Sequence, residues 1–211
     1  MSDEGNSGSL SRRDKAAQTR RTIAAAAHRL FCERGYAGTR MADVARESGF
    51  AVQTVYFVFH SKPELLQACY VDAVKGQDDP RPPQEQPFYS AMLAAPTGEE
   101  FFRHFAEGNT AIQARIAGLA DVVRAARHEP EANQVWEFNE ELRRRGYAEI
   151  LAVVEQRGWL RPGLDMAEAL DLMLMYGSAG TYNSLVRDAG WDISRFTVWL
   201  GAVLARELLN G

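Results

Sequence analysis

Between residues 39 and 62 the chain reads TRMADVARESGFAVQTVYFVFHSK, and this stretch restricts the fold more than any other. Met41, Ala42, Val44 and Ala45 are spaced as the apolar face of a short helix, and Thr39 stands where an N-cap belongs. Gly49 ends that helix, because glycine takes the left-handed position after a helix C-terminus without steric cost. A second short helix is expected from about Ala51 to Phe59. Val55, Val58 and Phe59 would face inward on it, leaving Val52, Gln53, Thr54, Tyr56 and Phe57 partly outward. Two such helices around a glycine turn make a helix-turn-helix, whose second helix fits the DNA major groove. His60 breaks the pattern, and Ser61, Pro63 and Glu64 then read as the start of another helix.

Three groups of residues carry a resemblance. Thr39, Val44, Ala45 and Gly49, then Thr54, Val55, Tyr56 and Phe59, then Ser61, Lys62, Glu64, Leu65 and Leu66 resemble the TetR/AcrR family of bacterial transcriptional regulators. The likeness is specific for about the first 75 residues. Three positions depart from it: Ala51 replaces the usual serine, Gln53 the usual glycine, and Val58 the usual histidine or tyrosine. The resemblance implies an all-α protein with a three-helix DNA-binding head and a helical body for ligand binding and dimerisation. It implies a repressor, or another ligand-responsive regulator, that binds a palindromic operator as a homodimer.

The net charge of −4 looks wrong for a DNA binder until its distribution is considered. Residues 12–62 hold ten Lys/Arg against four Asp/Glu, a net of +6, whereas residues 63–211 carry a net of −8. A basic head on an acidic body suits sequence-specific contact with a polyanion and discourages non-specific wrapping. No apolar run approaches the ~20 residues of a membrane helix, and no basic segment leads into an apolar one, so a cytoplasmic protein is expected. Cys32 and Cys69 fall among apolar residues of their helices and are expected to be reduced core residues.

Taken in order, residues 1–11 are Ser/Gly-rich without apolar patterning and read as a disordered tail. Residues 12–75 form the DNA-binding domain and residues 76–211 the effector-binding and dimerisation domain. Arg12 to Arg34 is one helix with Ile23, Ala27, Leu30 and Phe31 on its inner stripe and Gly35 at its end. Residues 76–96 contain five prolines and read as a linker with one short helix at 88–95. Helices are then expected from Thr97 to about Ala114, Arg115 to Arg127, Pro130 to Arg157, Asp165 to about Asp188, and about Asp192 to Asn210.

On the last two helices, Leu174, Thr181, Tyr182 and Leu185 align with Phe196, Trp199, Val203 and Leu204 as paired stripes. Such stripes serve either an internal core or a face that pairs with a second copy. The off-stripe Leu172 and Met175, and the need of a helix-turn-helix protein to span two half-sites, favour the dimer interface.

Tyr56, Thr54 and Lys62 are the candidates for phosphate contact, Arg40 can reach a phosphate or a base, and Thr39 directs its helix N-terminus toward a phosphate. Gln53 can pair with adenine in the major groove, and Ala51, Val52 and Phe57 can meet thymine methyls. Phe101, Phe105, Trp136, Tyr147, Met173 and Tyr176 are candidates to line a pocket for a small, largely apolar effector. His104, Asn109, Asn139 and Asn183 are its candidate polar anchors. The four histidines have no metal-ligand spacing, and no phosphate loop or Ser/His/Asp arrangement is visible. The expectation is therefore no enzyme, no cofactor and no metal. The partners expected are double-stranded operator DNA, a second copy and the effector. A helical interaction module or a helical enzyme without DNA binding is the alternative.

Overall fold

The computed structural model describes residues 11–76 and 79–210. They divide into two compact units, Met1–Cys69 and Tyr70–Gly211. The division falls inside a helix, just ahead of the boundary expected at Gly76.

The first unit contains α1 (Arg12–Arg34), α2 (Met41–Ser48), α3 (Val52–Phe59) and the start of α4 (Lys62–Lys75). Ser11 and Asp14 form a reciprocal capping box at the head of α1: Ser11 Oγ accepts from Asp14 N at 3.2 Å, and Asp14 Oδ2 accepts from Ser11 N at 3.2 Å. Ser11 is thus a helix cap and no part of a tail. The rest of the expected tail, residues 1–10, lies outside the described residues. Ile23, Phe31, Val44, Val55 and Phe59 are fully buried together with Leu65, so all four helices contribute to one core. Gly49 takes the left-handed conformation after α2 with φ 76°, as the turn requires. Its N–H donates to the Ala45 carbonyl.

Thr39 does not cap α2. The N-cap is Arg40, with no side-chain bond, while Thr39 is buried and its hydroxyl donates to the carbonyls of Leu30 (3.1 Å) and Gly35 (2.8 Å). Thr39 therefore ties the end of α1 to the following turn and presents nothing to a phosphate. Thr39→Val should destabilise the protein by about 1 kcal/mol in a urea titration, the typical worth of such a bond. Cys69 is buried, with Sγ 3.3 Å from the Ala24 carbonyl, but Cys32 is exposed, contrary to expectation. Its position places it on the outer side of α1.

The second unit contains α5 (Pro87–Ala94), α6 (Gly98–Ala125), α7 (Pro130–Gln156), α8 (Met166–Tyr176), α9 (Ala179–Tyr182) and α10 (Ile193–Leu208). A π-helical turn, Asn183–Asp188, continues α9. The proline-rich stretch ahead of α5 is built into this unit and is no loose linker. The buried Gln86 amide donates to the carbonyls of Lys75 (2.9 Å) and Arg81 (2.9 Å), and Pro83–Glu85 forms a 3-10 turn.

Two helix boundaries differ from expectation. Residues 98–125 form one helix where two were expected, because no proline or positive-φ residue interrupts it. The helix expected over 165–188 stops at Gly177, whose carbonyl accepts from the side chains of Gln113, Tyr147 and Asn109. Those donors substitute for helix continuation, and Ser178 then caps α9 by accepting from Thr181 N at 3.0 Å.

The core of this unit centres on α6 and α10. Phe101, Phe102 and Phe105 meet edge to face along α6, with centroids 5.6 Å and 6.4 Å apart. Phe196, Leu200 and Leu204 of α10 are fully buried. Gly201 lets the two helices approach, since a Cβ there would stand 3.4 Å from the Phe102 carbonyl. This core consumes half of the residues expected at a dimer interface. Tyr182, Phe196, Val203 and Leu204 are buried within their own chain and offer no surface to a second copy, because α6 supplies the apolar partner that the α10 stripe requires. Leu174, Thr181, Leu185 and Trp199 remain partly exposed. Among the described residues no helix is long and apolar enough to cross a membrane.

Candidate nucleic-acid interface and effector cavity

The outward face of α3 is laid bare by its own inner face. Val55 and Phe59, four residues apart, are buried, and this phase forces the intervening side chains out of the core. Ala51 and Gln53 are exposed, Thr54 is half-buried, and Val52, Tyr56 and Phe57 are 37%, 48% and 81% exposed. Ala51 stands at the N-cap without a side-chain bond, as its methyl group requires. Phe57, with Val52 and Tyr56 on the same helix, leaves apolar surface exposed there.

The cations around α3 are arranged unequally. Lys62 Nζ lies 3.9 Å above the Tyr36 ring, which holds the ammonium at the foot of α4. Arg20 stacks on the Phe59 ring at 4.5 Å. Arg29 pairs with Glu47 at 2.9 Å, and Arg46 with Asp43 at 2.5 Å. The Arg46 hydrogen bond holds the Asp43 carboxyl below its usual range. Both pairs are solvated, so the arginines can exchange them for phosphates at little cost. Arg40 is exposed at the α2 N-terminus. Burial, and then the neighbouring Arg29, lower the pKa of His28, which keeps this ring neutral and out of the count of cations near neutral pH.

The second unit forms a partly open cavity of about 330 Å³. The end of α4 supplies Tyr70 and Val74, α5 supplies Phe88, and α6 and α7 supply Phe105, Gln113 and Tyr147. Phe88 lies flat against α6 because residue 108 is glycine: a Cβ there would stand 2.1 Å from the ring. Burial pushes the Tyr147 phenol up to about 12, and burial followed by the Glu140 carboxylate raises Tyr70 as well. Both phenols are therefore neutral at physiological pH and act as apolar walls with a polar tip. The Tyr147 hydroxyl lies 2.6 Å from Asn109 Oδ1 and 3.0 Å from the Gly177 carbonyl. Arg143 is held in the wall by Glu140 at 2.5 Å and by the Leu174 carbonyl at 2.9 Å.

Of the six expected cavity residues, Phe105 and Tyr147 line it and four do not. Phe101 and Met173 are sealed in the solid core, Trp136 stacks under Arg127 at 5.4 Å, and Tyr176 packs on Trp199 at 6.0 Å. Of the expected anchors, Asn109 and Asn139 reach the cavity. His104 turns instead to Arg103 and Glu107, and Asn183 donates to the Ala117 carbonyl. Gln113, Arg143 and Phe88 were not anticipated. The signal for Gln113 was present: it follows Asn109 by one helical turn on a stripe that is otherwise apolar, and a buried polar pair at that spacing needs partners.

Residues 23–69 match the model of the family described as bacterial regulatory proteins, tetR family. Over 56 residues the chain is 41% identical to the HTH-type transcriptional regulator TtgR of Pseudomonas putida. That stretch spans 26% of this chain and 27% of TtgR, about a quarter of the curated relative. The fold is shared more widely. A structure described as a TetR-family transcriptional regulator from Mesorhizobium loti aligns with a TM-score of 0.65 at 19% identity, covering 95% of this chain and all of the other. NalD of Pseudomonas aeruginosa, described as the secondary repressor of the MexAB-OprM multidrug efflux pump, aligns with a TM-score of 0.66 at 20% identity over 92% of this chain and 98% of its own. At these identities the likeness beyond the head is one of fold. Residues 23–69 are thus a helix-turn-helix head of the kind found in bacterial regulatory proteins of the tetR family, and the helices behind it share their fold with structures described as TetR-family regulators.

Proposed function

We propose that the protein is a transcriptional repressor that binds a palindromic operator as a homodimer and leaves it when a small, largely apolar molecule enters the cavity of the second unit. The outward face of α3 carries this reading: Gln53, Tyr56 and Phe57 are exposed on a short helix within the stretch 12–62, whose net charge is +6. In the proposed complex Gln53 reads adenine through its N6 and N7 edge, and Ala51, Val52 and Phe57 meet thymine methyls. Tyr56, Thr54, Arg40 and Lys62 contact phosphates and fix the register. The description of NalD as a repressor supports the sign of regulation.

The partly exposed Leu174, Thr181, Leu185 and Trp199, with the exposed Met175 and Val198 beside them, are the proposed surface for the second copy. The effector acts by binding one conformational state of the dimer better than the other, and only that difference in affinity can release DNA. Residues 12–75 act as the DNA-binding part and residues 76–211 as the effector-binding and dimerisation part.

Selection of bound sequences from random duplexes tests the proposal directly. A two-fold symmetric site with half-sites about one helical turn apart is expected. On that site Gln53→Ala should lose about 1–3 kcal/mol and relax the preference at one base pair. Tyr56→Phe should lose about 1 kcal/mol equally on every sequence. Equal loss on cognate and scrambled DNA for Gln53→Ala would remove the base-reading role. A selection that yields no enriched sequence, or binding with no dependence on salt, would remove the function itself.

A further inference from the structure

One polar group in the cavity wall has neither a partner nor a cover. Tyr70 lines the cavity from α4 and is only 7% exposed. Its hydroxyl makes no hydrogen bond among the described residues. It is not sealed away either. The side-chain polar atoms of the described residues that are both enclosed and unpartnered are Tyr36 Oη, Thr110 Oγ1, Gln113 Oε1 and Asn183 Oδ1. The Tyr70 hydroxyl is not one of them, so it keeps surface that an incoming atom can touch. Its polar neighbours in the wall are engaged elsewhere. Gln113 Nε2 donates to the Gly177 carbonyl at 2.8 Å, the Tyr147 hydroxyl lies 2.6 Å from Asn109 Oδ1, and the Arg143 guanidinium faces Glu140 and the Leu174 carbonyl. A largely buried hydroxyl in this position bears a desolvation cost until an acceptor arrives.

Charge decides what that acceptor is. Burial pushes the Tyr70 phenol up, so it holds its proton and can donate it. Glu140 and Arg143 are the charged groups that face it, and they act on it in opposite directions. They also hold each other, with Arg143 Nη2 donating to Glu140 at 2.5 Å. An ion seated at the hydroxyl would lose its water beside a pair that is already neutral. Lys75, the other cation of the lining, lies more than one helical turn further along α4. We infer that the effector is an uncharged, largely apolar molecule with one accepting oxygen of the carbonyl kind, and that this oxygen takes a hydrogen bond from the Tyr70 hydroxyl. The inference rests on the effector role proposed above and adds the ligand's chemical class and its anchor.

Ligand-observed NMR titration of the full chain with four probes tests it: propiophenone, propylbenzene, 3-phenylpropanoate and 3-phenylpropylammonium. The first two differ only by a carbonyl in place of a methylene. Tyr70→Phe removes the hydroxyl and keeps the ring. It should weaken propiophenone by about 10-fold and change propylbenzene by about twofold or less. Comparing its effect on the two probes cancels their different affinities for water. Both ions should bind the unaltered chain more weakly than propiophenone does. The hydroxyl has no protein partner to lose, so the variant should keep the denaturation midpoint of the parent chain. Gly146→Leu provides a second handle. Gly146 lines the cavity and a Cβ there meets no atom within 4 Å, so the added side chain takes up cavity space. It should weaken propiophenone and propylbenzene alike by about 10-fold or more.

Equal effects of Tyr70→Phe on propiophenone and propylbenzene overturn the anchor while leaving an apolar cavity. A lowered midpoint in that variant overturns it too, since the hydroxyl would then serve the fold. Tighter binding of either ion overturns the assignment of a neutral ligand. Binding that Gly146→Leu leaves untouched, or no binding of any probe, overturns the site. The effector reading fails separately, if propiophenone binds as described but the affinity for the selected operator does not change.

Discussion

Phe102→Ala is expected to lower the stability of the second unit by about 3–5 kcal/mol, the usual cost of deleting a fully buried aromatic ring. Phe102 has no exposed surface, and its ring packs edge to face on Phe101 at 5.6 Å and on Phe105 at 6.4 Å. Its backbone carbonyl also sits against Gly201 of α10, where an added Cβ would stand 3.4 Å away. The surrounding phenylalanines are buried and interlocked, so the site cannot collapse easily into the space left behind. A domain of this size has a total stability of about 5–15 kcal/mol, so this single change consumes a large part of it. Chemical denaturation followed by tryptophan fluorescence reads the effect, since all four tryptophans, Trp136, Trp159, Trp191 and Trp199, lie in this unit. A midpoint unchanged from that of the parent chain would mean that the α6–α10 core is not the centre of its stability.

The second large effect is expected from Gly177→Val. The backbone at Gly177 has φ −83°, which any residue adopts, so conformational strain is not the issue. Space is the issue: a Cβ would stand 2.8 Å from the Tyr147 hydroxyl and 3.0 Å from the Met173 carbonyl. The hydroxyl must move, and with it go the hydrogen bonds that converge on the Gly177 carbonyl from Tyr147, Gln113 and Asn109. Overpacking costs about 1–3 kcal/mol, and each buried polar group left without a partner about 1–3 kcal/mol more. The sum should rival the loss from Phe102→Ala. Gly177→Ala should show a smaller loss of the same kind, and Tyr147→Phe introduced with it should recover part of that loss by removing the displaced hydroxyl. Independent, additive losses from the two changes would sink the shared-cluster account.

The amino-terminal unit was largely legible in the order of its residues, because its signals are local. Ile23, Leu30 and Phe31 fix the inner face of α1, and Gly35 and Gly49 take the positive φ values that end α1 and α2. Helix period and glycine chemistry act over a few residues, so they can be read without knowing what packs against what. The exposure of Gln53, Tyr56 and Phe57 follows from the same periodicity once Val55 and Phe59 are inside. Thr39 was misplaced because a hydroxyl ahead of a helix has two uses. The carbonyls of Leu30 and Gly35, brought back by the turn after α1, compete successfully for it.

In the second unit the sequence by itself determined little beyond helix, turn and apolar stripe. The stripe of Phe196, Val203 and Leu204 has the same period whether it meets α6 or a second copy, and only the assembled core decides for α6. The cavity is set by side chains far apart in the chain: Tyr70, Phe88, Gln113 and Tyr147 meet because four helices converge there. The break at Gly177 has the same origin, since the donors that take its carbonyl come from α6 and α7. Local hydrogen bonding and periodicity are written into neighbouring residues, whereas the choice among apolar partners and the placing of a buried amide are settled by long-range packing, which no short stretch of sequence contains.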